Sequence, residues 1–254
     1  MVEFEYVAAA TVEEAVGLLR EHRGEARVLA GGQSLVPLLN YRLARPRVIV
    51  DINDLPLAGI ERTGEGGLRL GALVRHADLE ESPEVARLCP VLGEAAGLIG
   101  NARVRALGSL GGSLAHADPA AEWPMVMAAL GARFTVRSPS GSRTVAADDF
   151  FTGYLSTALA PDELLAEIEV PAAGGMGHAV EEMARRAGDF AIVAVTALVR
   201  LDGRGRVDDA RLAFGGVGGG PVRVAAAEDA LRGHEPTAER IARAAGVARE
   251  ALQP

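Results

Sequence analysis

Two glycine-rich turns constrain this chain more than any other feature. The first, Leu29-Ala30-Gly31-Gly32-Gln33-Ser34-Leu35, leaves an apolar segment that reads as a strand and opens a segment that reads as a helix. The second, Gly108-Ser109-Leu110-Gly111-Gly112-Ser113, comes farther along the chain. Small residues let backbone N–H groups converge on an anion without side-chain interference, which is how proteins hold a diphosphate. Two such turns suggest a dinucleotide, with the Ser34 and Ser109 hydroxyls and the positive end of the helix after Gly32 as further donors. Either turn alone is ordinary strand-to-helix punctuation. Neither 108–113 nor 215–220 fits Gly-x-Gly-x-x-Gly, so a Rossmann site is not supported.

Composition narrows the chemistry. With 49% hydrophobic residues over 254, the chain can bury a substantial core and divide into two or three small domains. All 26 cationic residues are arginine, which excludes a Schiff-base lysine and a Walker-type phosphate loop. A net charge of −8 argues against nucleic acid as a partner. The single cysteine, Cys89, cannot hold an iron–sulfur or zinc centre by itself, and no metal site is expected in this chain. No stretch reads as a secretory signal or a transmembrane segment, so a cytoplasmic protein is expected.

Along the chain, Thr11 and Glu14 form a capping-box pattern ahead of an amphipathic helix ending near Gly24. Strands are expected at 4–7, 27–30 and 47–51, making a β-α-β-α-β unit with the first glycine turn where strand meets helix. Later, helices are expected at 83–99 and 119–130, and strands at 68–72, 132–137, 143–146 and 164–170. The apolar run 190–199 reads as a buried strand. Asp118 before Pro119 reads as a helix cap rather than a metal ligand paired with His116. Residues 171–177 make the clearest linker. The expected division is 1–55, 56–173 and 174–254, the last containing strands followed by two helices.

Taken in order, Ala30-Gly31-Gly32-Gln33-Ser34-Leu35, Asp51-Ile52-Asn53, the stretch from Gly108 through Ala115-His116-Ala117-Asp118-Pro119-Ala120-Ala121-Glu122, and Ala184-Arg185-Arg186-Ala187-Gly188-Asp189-Phe190-Ala191 resemble the FAD-binding medium subunit of molybdenum hydroxylases, the group of carbon monoxide dehydrogenase and xanthine dehydrogenase. The likeness covers nearly the whole chain. It implies an α+β protein: a vanillyl-alcohol-oxidase/PCMH-type FAD-binding fold and a smaller C-terminal α+β domain.

The resemblance also implies noncovalent FAD. Leu29, Ala30, Gly31, Gly32, Gln33, Ser34 and Leu35, with Ser109, Leu110, Gly111, Gly112 and Ser113, would contact its diphosphate. Asp118 or Glu122 would accept from ribose hydroxyls. Arg185, Arg186, Asp189 and Phe190 would approach the flavin ring, with one of the two arginines facing it. No residue of this chain would be catalytic in its own right. The molybdenum cofactor would sit on a large partner subunit and the [2Fe-2S] clusters on a small one, in a dimer of heterotrimers. Relatives usually continue past the position of Pro254 through another helical segment. Two other readings are a stand-alone FAD oxidoreductase and a flavin-free structural or assembly subunit.

Overall fold

The structure, a computed structural model, describes residues 3–252. The chain opens with β1 (Glu5–Ala8), α1 (Val12–Glu21), β2 (Ala26–Leu29), α2 (Leu35–Asn40) and β3 (Val48–Asp51). The strands form a parallel sheet in the order β1-β3-β2. Thr11 Oγ1 accepts the Glu14 amide at 3.1 Å, and Glu14 Oε2 reaches past it to accept the Ala10 amide at 2.7 Å. That cap fixes the entry of α1, whose Ala15, Val16 and Leu19 pack with Val48 and Val50 of β3.

Next come β4 (Ile60–Arg62) and β5 (Leu68–Gly71), then α3 (His76–Glu81), α4 (Pro83–Leu88), α5 (Pro90–Leu98), α6 (Ala102–Leu107), α7 (Leu110–His116) and α8 (Glu122–Leu130). The helix expected over 83–99 is two helices. Pro90 disfavours helical backbone at the preceding residue, and Cys89 accordingly takes φ −152°, ψ 66°. The helix expected from 119 begins only at Glu122, with Ala121 as its N-cap. Asp118 therefore caps a turn rather than a helix: its Oδ1 accepts the Ala120 amide at 2.9 Å and its carbonyl accepts the Ala121 amide at 3.0 Å. Every residue of α8 is buried, as its alanine-rich and almost uncharged sequence requires.

The chain continues through β6 (Arg133–Ser138), β7 (Gly141–Ala146), α9 (Ala147–Phe150), β8 (Phe151–Gly153), β9 (Ser156–Thr157) and β10 (Leu164–Val170). A five-stranded antiparallel sheet results, in the order β4-β5-β10-β6-β7. Its buried face joins Leu68, Leu70, Phe134, Val136 and Ile168 to Leu92, Leu110 and Trp123 of the helices in one core.

The last part is a four-stranded antiparallel sheet of β11 (Gly177–Met183), β12 (Val193–Leu201), β13 (Val207–Gly215) and β14 (Val222–Arg223), followed by α10 (Ala225–Leu231) and α11 (Ala238–Ala251). α8 packs against β12 and β13, so Val180, Ala194, Leu198 and Ala213 belong to the same core as the five-stranded sheet. The apolar run 190–199 is only partly a buried strand. β12 starts at Val193, and Phe190 and Ile192 stand exposed in the connection from β11. That connection is pinned by the Ile192 amide donating to Met183 O at 2.7 Å.

Candidate functional site: a cleft between two glycine turns

The first turn leaves β2 at Leu29 and enters α2 at Leu35. Gly32 takes φ +70°, a conformation that a side chain would strain. Among the described residues, no protein acceptor pairs with the amide N–H groups of residues 31–35. Unpaired backbone donors in sequence are rare in folded proteins, and a run of them lining a cleft is an anion cradle. Ser34 holds the N-cap position of α2, but its side chain makes no capping bond and its backbone is helical. The hydroxyl therefore remains available to a ligand. Gln33 folds back to donate from Nε2 to Gly31 O at 2.9 Å.

The second turn is built differently. The Leu110 amide donates to Val74 O at 2.9 Å, that of Gly111 to Ala72 O at 2.8 Å, and that of Ser113 to Ser109 O at 3.0 Å. Gly112 donates to Ser109 Oγ, the N-cap of α7, at 3.3 Å. These four amides already serve the protein, whereas that of Ser109, like those of the first turn, has no protein acceptor among the described residues. What glycine gives the second turn is closeness. A Cβ on Gly111 would lie 2.4 Å from Ala72 Cβ, and one on Gly108 would lie 2.7 Å from His76 Nε2. The turns meet as well: a Cβ on Gly31 would fall 2.0 Å from Leu107 O.

A brace ties the two turns together. Asn53 Nδ2 donates to Ala30 O at 3.0 Å, and Asn53 Oδ1 accepts from Arg75 Nη2 at 2.8 Å. Arg75 Nη1 donates to Leu107 O at 2.6 Å. Asp51 orients Asn53 by accepting its backbone and side-chain N–H at 2.8 and 2.6 Å, and also accepts from the Tyr6 hydroxyl. Burial opposes ionisation of Asp51, but these donors and the Arg75 charge outweigh it and hold its pKa below the usual carboxylate range.

Between the turns lies a cleft of about 340 Å³. Of the residues singled out from the sequence, Ala30, Gly31, Gly32, Gln33, Ser34, Leu35, Ser109, Gly111, Gly112, Ser113, Glu122, Asp189 and Phe190 line it. Leu29 and Leu110 do not; Leu110 is wholly buried. Asp118 also lies outside the lining, its carboxylate committed to the Ala120 amide. Arg185 and Arg186 sit in an exposed loop, not a strand, and neither lines the cleft. From that loop Gly188, Asp189 and Phe190 border the cleft, with Phe190 64% exposed rather than a core aromatic. Gly188, at φ +81°, is close enough to Gly100 that a Cβ would lie 2.7 Å from its carbonyl.

Glu122 is only 7% exposed, and burial, assisted by the negative charges of Glu182 and Asp118, pushes its pKa up to about 7. His76 was not singled out by sequence reasoning. It lines the cleft, and its Nδ1 accepts from Trp123 Nε1 at 3.1 Å. The partner lies 47 positions away, so no local pattern marks it. Burial and the charges of Arg75 and Arg105 bring the His76 pKa down to about 4. Cys89 is buried and its thiol is pushed up to about 12, which makes it unreactive.

Orphan amides, a buried carboxylate and an apolar wall of Ile99, Val104 and Leu164 make this a site for a phosphate-containing organic cofactor in a two-part α+β protein. Residues 2–173 match the family model described as the FAD binding domain in molybdopterin dehydrogenase, and residues 178–254 match the CO dehydrogenase flavoprotein C-terminal domain. The chain belongs to this family of FAD-binding medium subunits of molybdenum hydroxylase complexes. It is 40% identical to the 6-hydroxypseudooxynicotine dehydrogenase complex subunit alpha of Paenarthrobacter nicotinovorans, over 99% of this chain and 85% of that protein. It is similar to the carbon monoxide dehydrogenase of Hydrogenophaga pseudoflava lacking the Mo-pyranopterin moiety, with a TM-score of 0.95 and 40% identity, covering 99% of this chain and 88% of that one. Quinoline 2-oxidoreductase from Pseudomonas putida 86 gives a TM-score of 0.94 at 38% identity, covering 99% and 87%. The fold expectation, a FAD-binding part followed by a smaller C-terminal domain, agrees with these likenesses.

Proposed function

We propose that the chain is the electron-transfer flavoprotein subunit of a molybdenum hydroxylase complex, passing electrons from the [2Fe-2S] clusters of a small partner subunit through noncovalent FAD to an external acceptor. The observation that carries this reading is the run of unpaired amides at residues 31–35, facing a cleft that the second glycine turn closes. FAD, when bound, supplies the redox chemistry, while the protein binds it, orients it and sets its surroundings.

Each part of the site has a task in this reading. The first turn donates to the diphosphate, where charge-assisted bonds from several amides are roughly twice as strong as neutral ones. Glu122 accepts from the ribose hydroxyls, a task for which Asp118 is less well placed because its carboxylate is engaged. Ile99, Val104 and Leu164 exclude water, and Asp189 and Phe190 border the opening from the C-terminal domain. Residues 1–55 and 56–173 make the two halves of the FAD-binding part, and 174–254 the C-terminal domain.

The single cysteine requires the iron–sulfur clusters to be held by another chain, and we place the molybdenum cofactor on a large partner subunit. The assembly would be a dimer of heterotrimers working in the cytoplasm. No helix among the described residues is long and apolar enough to cross a membrane.

The experiment is a visible absorption spectrum of the purified full chain titrated with FAD, followed by denaturation. Flavin bands that shift on binding and are fully released on unfolding are expected. A chain that fails to bind FAD, both alone and within its complex, overturns the reading.

A further inference from the structure

In the second glycine turn the amides of Gly108, Leu110, Gly111, Gly112 and Ser113 are spent on the protein itself, and among the described residues that of Ser109 alone lacks a protein acceptor, so on that side side-chain donors add to the one amide left. Ser109 and Ser113 offer hydroxyls, and His76 offers an imidazole. His76 opens α3 and is 4% exposed. Its Nδ1 accepts from the indole of Trp123, itself wholly buried, at 3.1 Å. An indole nitrogen only donates, so Nδ1 is the unprotonated nitrogen and the ring proton sits on Nε2.

Nε2 occupies the opposite edge of the ring, beside Gly108 at the start of the second turn. A side chain there would place its Cβ 2.7 Å from both Nε2 and Cδ2. Among the described residues no protein acceptor pairs with Nε2, although the ring is nearly withdrawn from bulk water and forms part of the cleft wall. Nε2 keeps some solvent access at the cleft, where an oxygen of a ligand gains a hydrogen bond by accepting from it. Of the charged groups acting on His76, Arg75 and Arg105 both disfavour its protonation, so the ring stays neutral and keeps this tautomer at neutral pH.

We propose that His76 is a ligand-binding residue that donates its Nε2–H to a diphosphate oxygen of the dinucleotide seated against the second glycine turn. The inference rests on the FAD reading above. Trp123 sets the tautomer, Gly108 leaves room for the ring edge, and His76 adds a donor on a side where most of the turn's amides are already paired.

The test uses the full chain with 15N-labelled histidine, titrated separately with FAD, ADP and riboflavin. Long-range 1H–15N correlations are assigned to His76 by their loss in His76→Phe. The expected result is a protonated Nε2 and bare Nδ1 before addition, and a downfield shift of the Nε2 proton with FAD and ADP but not with riboflavin. His76→Phe should weaken FAD and ADP by the same factor, roughly 10- to 100-fold, the range for a hydrogen bond to a charged group. His76→Gln, which can keep a donor, should recover part of that loss. An unmoved Nε2 signal while FAD binds the wild type overturns the proposal and leaves the FAD reading standing. A response to FAD alone moves the contact to the flavin half and overturns the diphosphate assignment. A response to ADP in a chain that rejects FAD overturns the FAD reading and supports the His76 contact. A wild type that binds neither nucleotide overturns both.

Discussion

Arg75 Nη2 donates to Asn53 Oδ1 at 2.8 Å, and through that bond the two glycine turns hold each other. Asn53 grips Ala30 O at one end, and Arg75 grips Leu107 O at the other. A planar guanidinium can serve both acceptors at once, whereas an ammonium is a single compact head. Arg75→Lys should therefore weaken FAD binding at least several-fold. In a double-mutant cycle, Arg75→Ala and Asn53→Ala should couple by about 1 kcal/mol in unfolding free energy. Additive effects would mean that the bond carries no structural communication between the turns.

The two turns should respond differently to the loss of a glycine. At Gly32 a Cβ would meet only Val36 Cγ2 at 3.1 Å and Leu29 Cδ1 at 3.4 Å, so Gly32→Ala suffers chiefly the left-handed backbone, roughly 1–2 kcal/mol. It should fold and bind FAD poorly. At Gly111 the Cβ would lie 2.8 Å from the Ala72 backbone, so Gly111→Val should fail as a folded protein. Urea denaturation beside FAD titration separates the two outcomes; a stable Gly111→Val variant would contradict this packing.

Glu122 should make stability depend on pH in a stated direction. Its folded pKa of about 7 lies above the ordinary 4.5, so the folded state binds more protons across that window and loses stability as pH rises through it. The span is on the order of 3 kcal/mol. Relative to wild type, Glu122→Gln should gain stability between pH 5 and pH 8, read from urea midpoints. Ribose hydroxyls favour the ionised carboxylate, so FAD should bind about tenfold tighter at pH 8 than at pH 6, and equally at both in the variant. A constant gap between the proteins at all pH values would remove Glu122 as the titrating group.

The connection between β11 and β12 separates opening from surface. Phe190 borders the cleft yet is mostly exposed, so Phe190→Ala should change stability by less than about 0.5 kcal/mol while altering the absorption and fluorescence of bound FAD. Arg185→Ala with Arg186→Ala should leave FAD affinity within about twofold, because neither side chain lines the cleft. A large loss in the arginine pair would show that this loop closes over the ligand.

Legibility of the site followed sequence distance. The first turn was readable because strand, glycines and helix are contiguous, and so was α1, whose cap and apolar stripe lie within one segment. Glu122 and Phe190 entered through resemblance, and the structure places both at the cleft. Arg75 and His76 were invisible because their meaning depends on Leu107, Asn53 and Trp123, none of them local. The second turn shows the limit of composition. Its glycines look like those of the first, yet the carbonyls of Ala72 and Val74 occupy two of its amides, and only the tertiary arrangement reveals that.

On the proposed reading, the unpaired amides at residues 31–35 also tie the stability of this polypeptide to its supply of flavin. A ligand that binds only the native state adds about 2.7 kcal/mol when present at a hundred times its dissociation constant. A shift of that size changes the unfolded fraction available to proteases by roughly a hundredfold. A cell short of riboflavin would then lose the subunit itself as well as its colour, and the abundance of the chain would follow vitamin supply without any change in its synthesis.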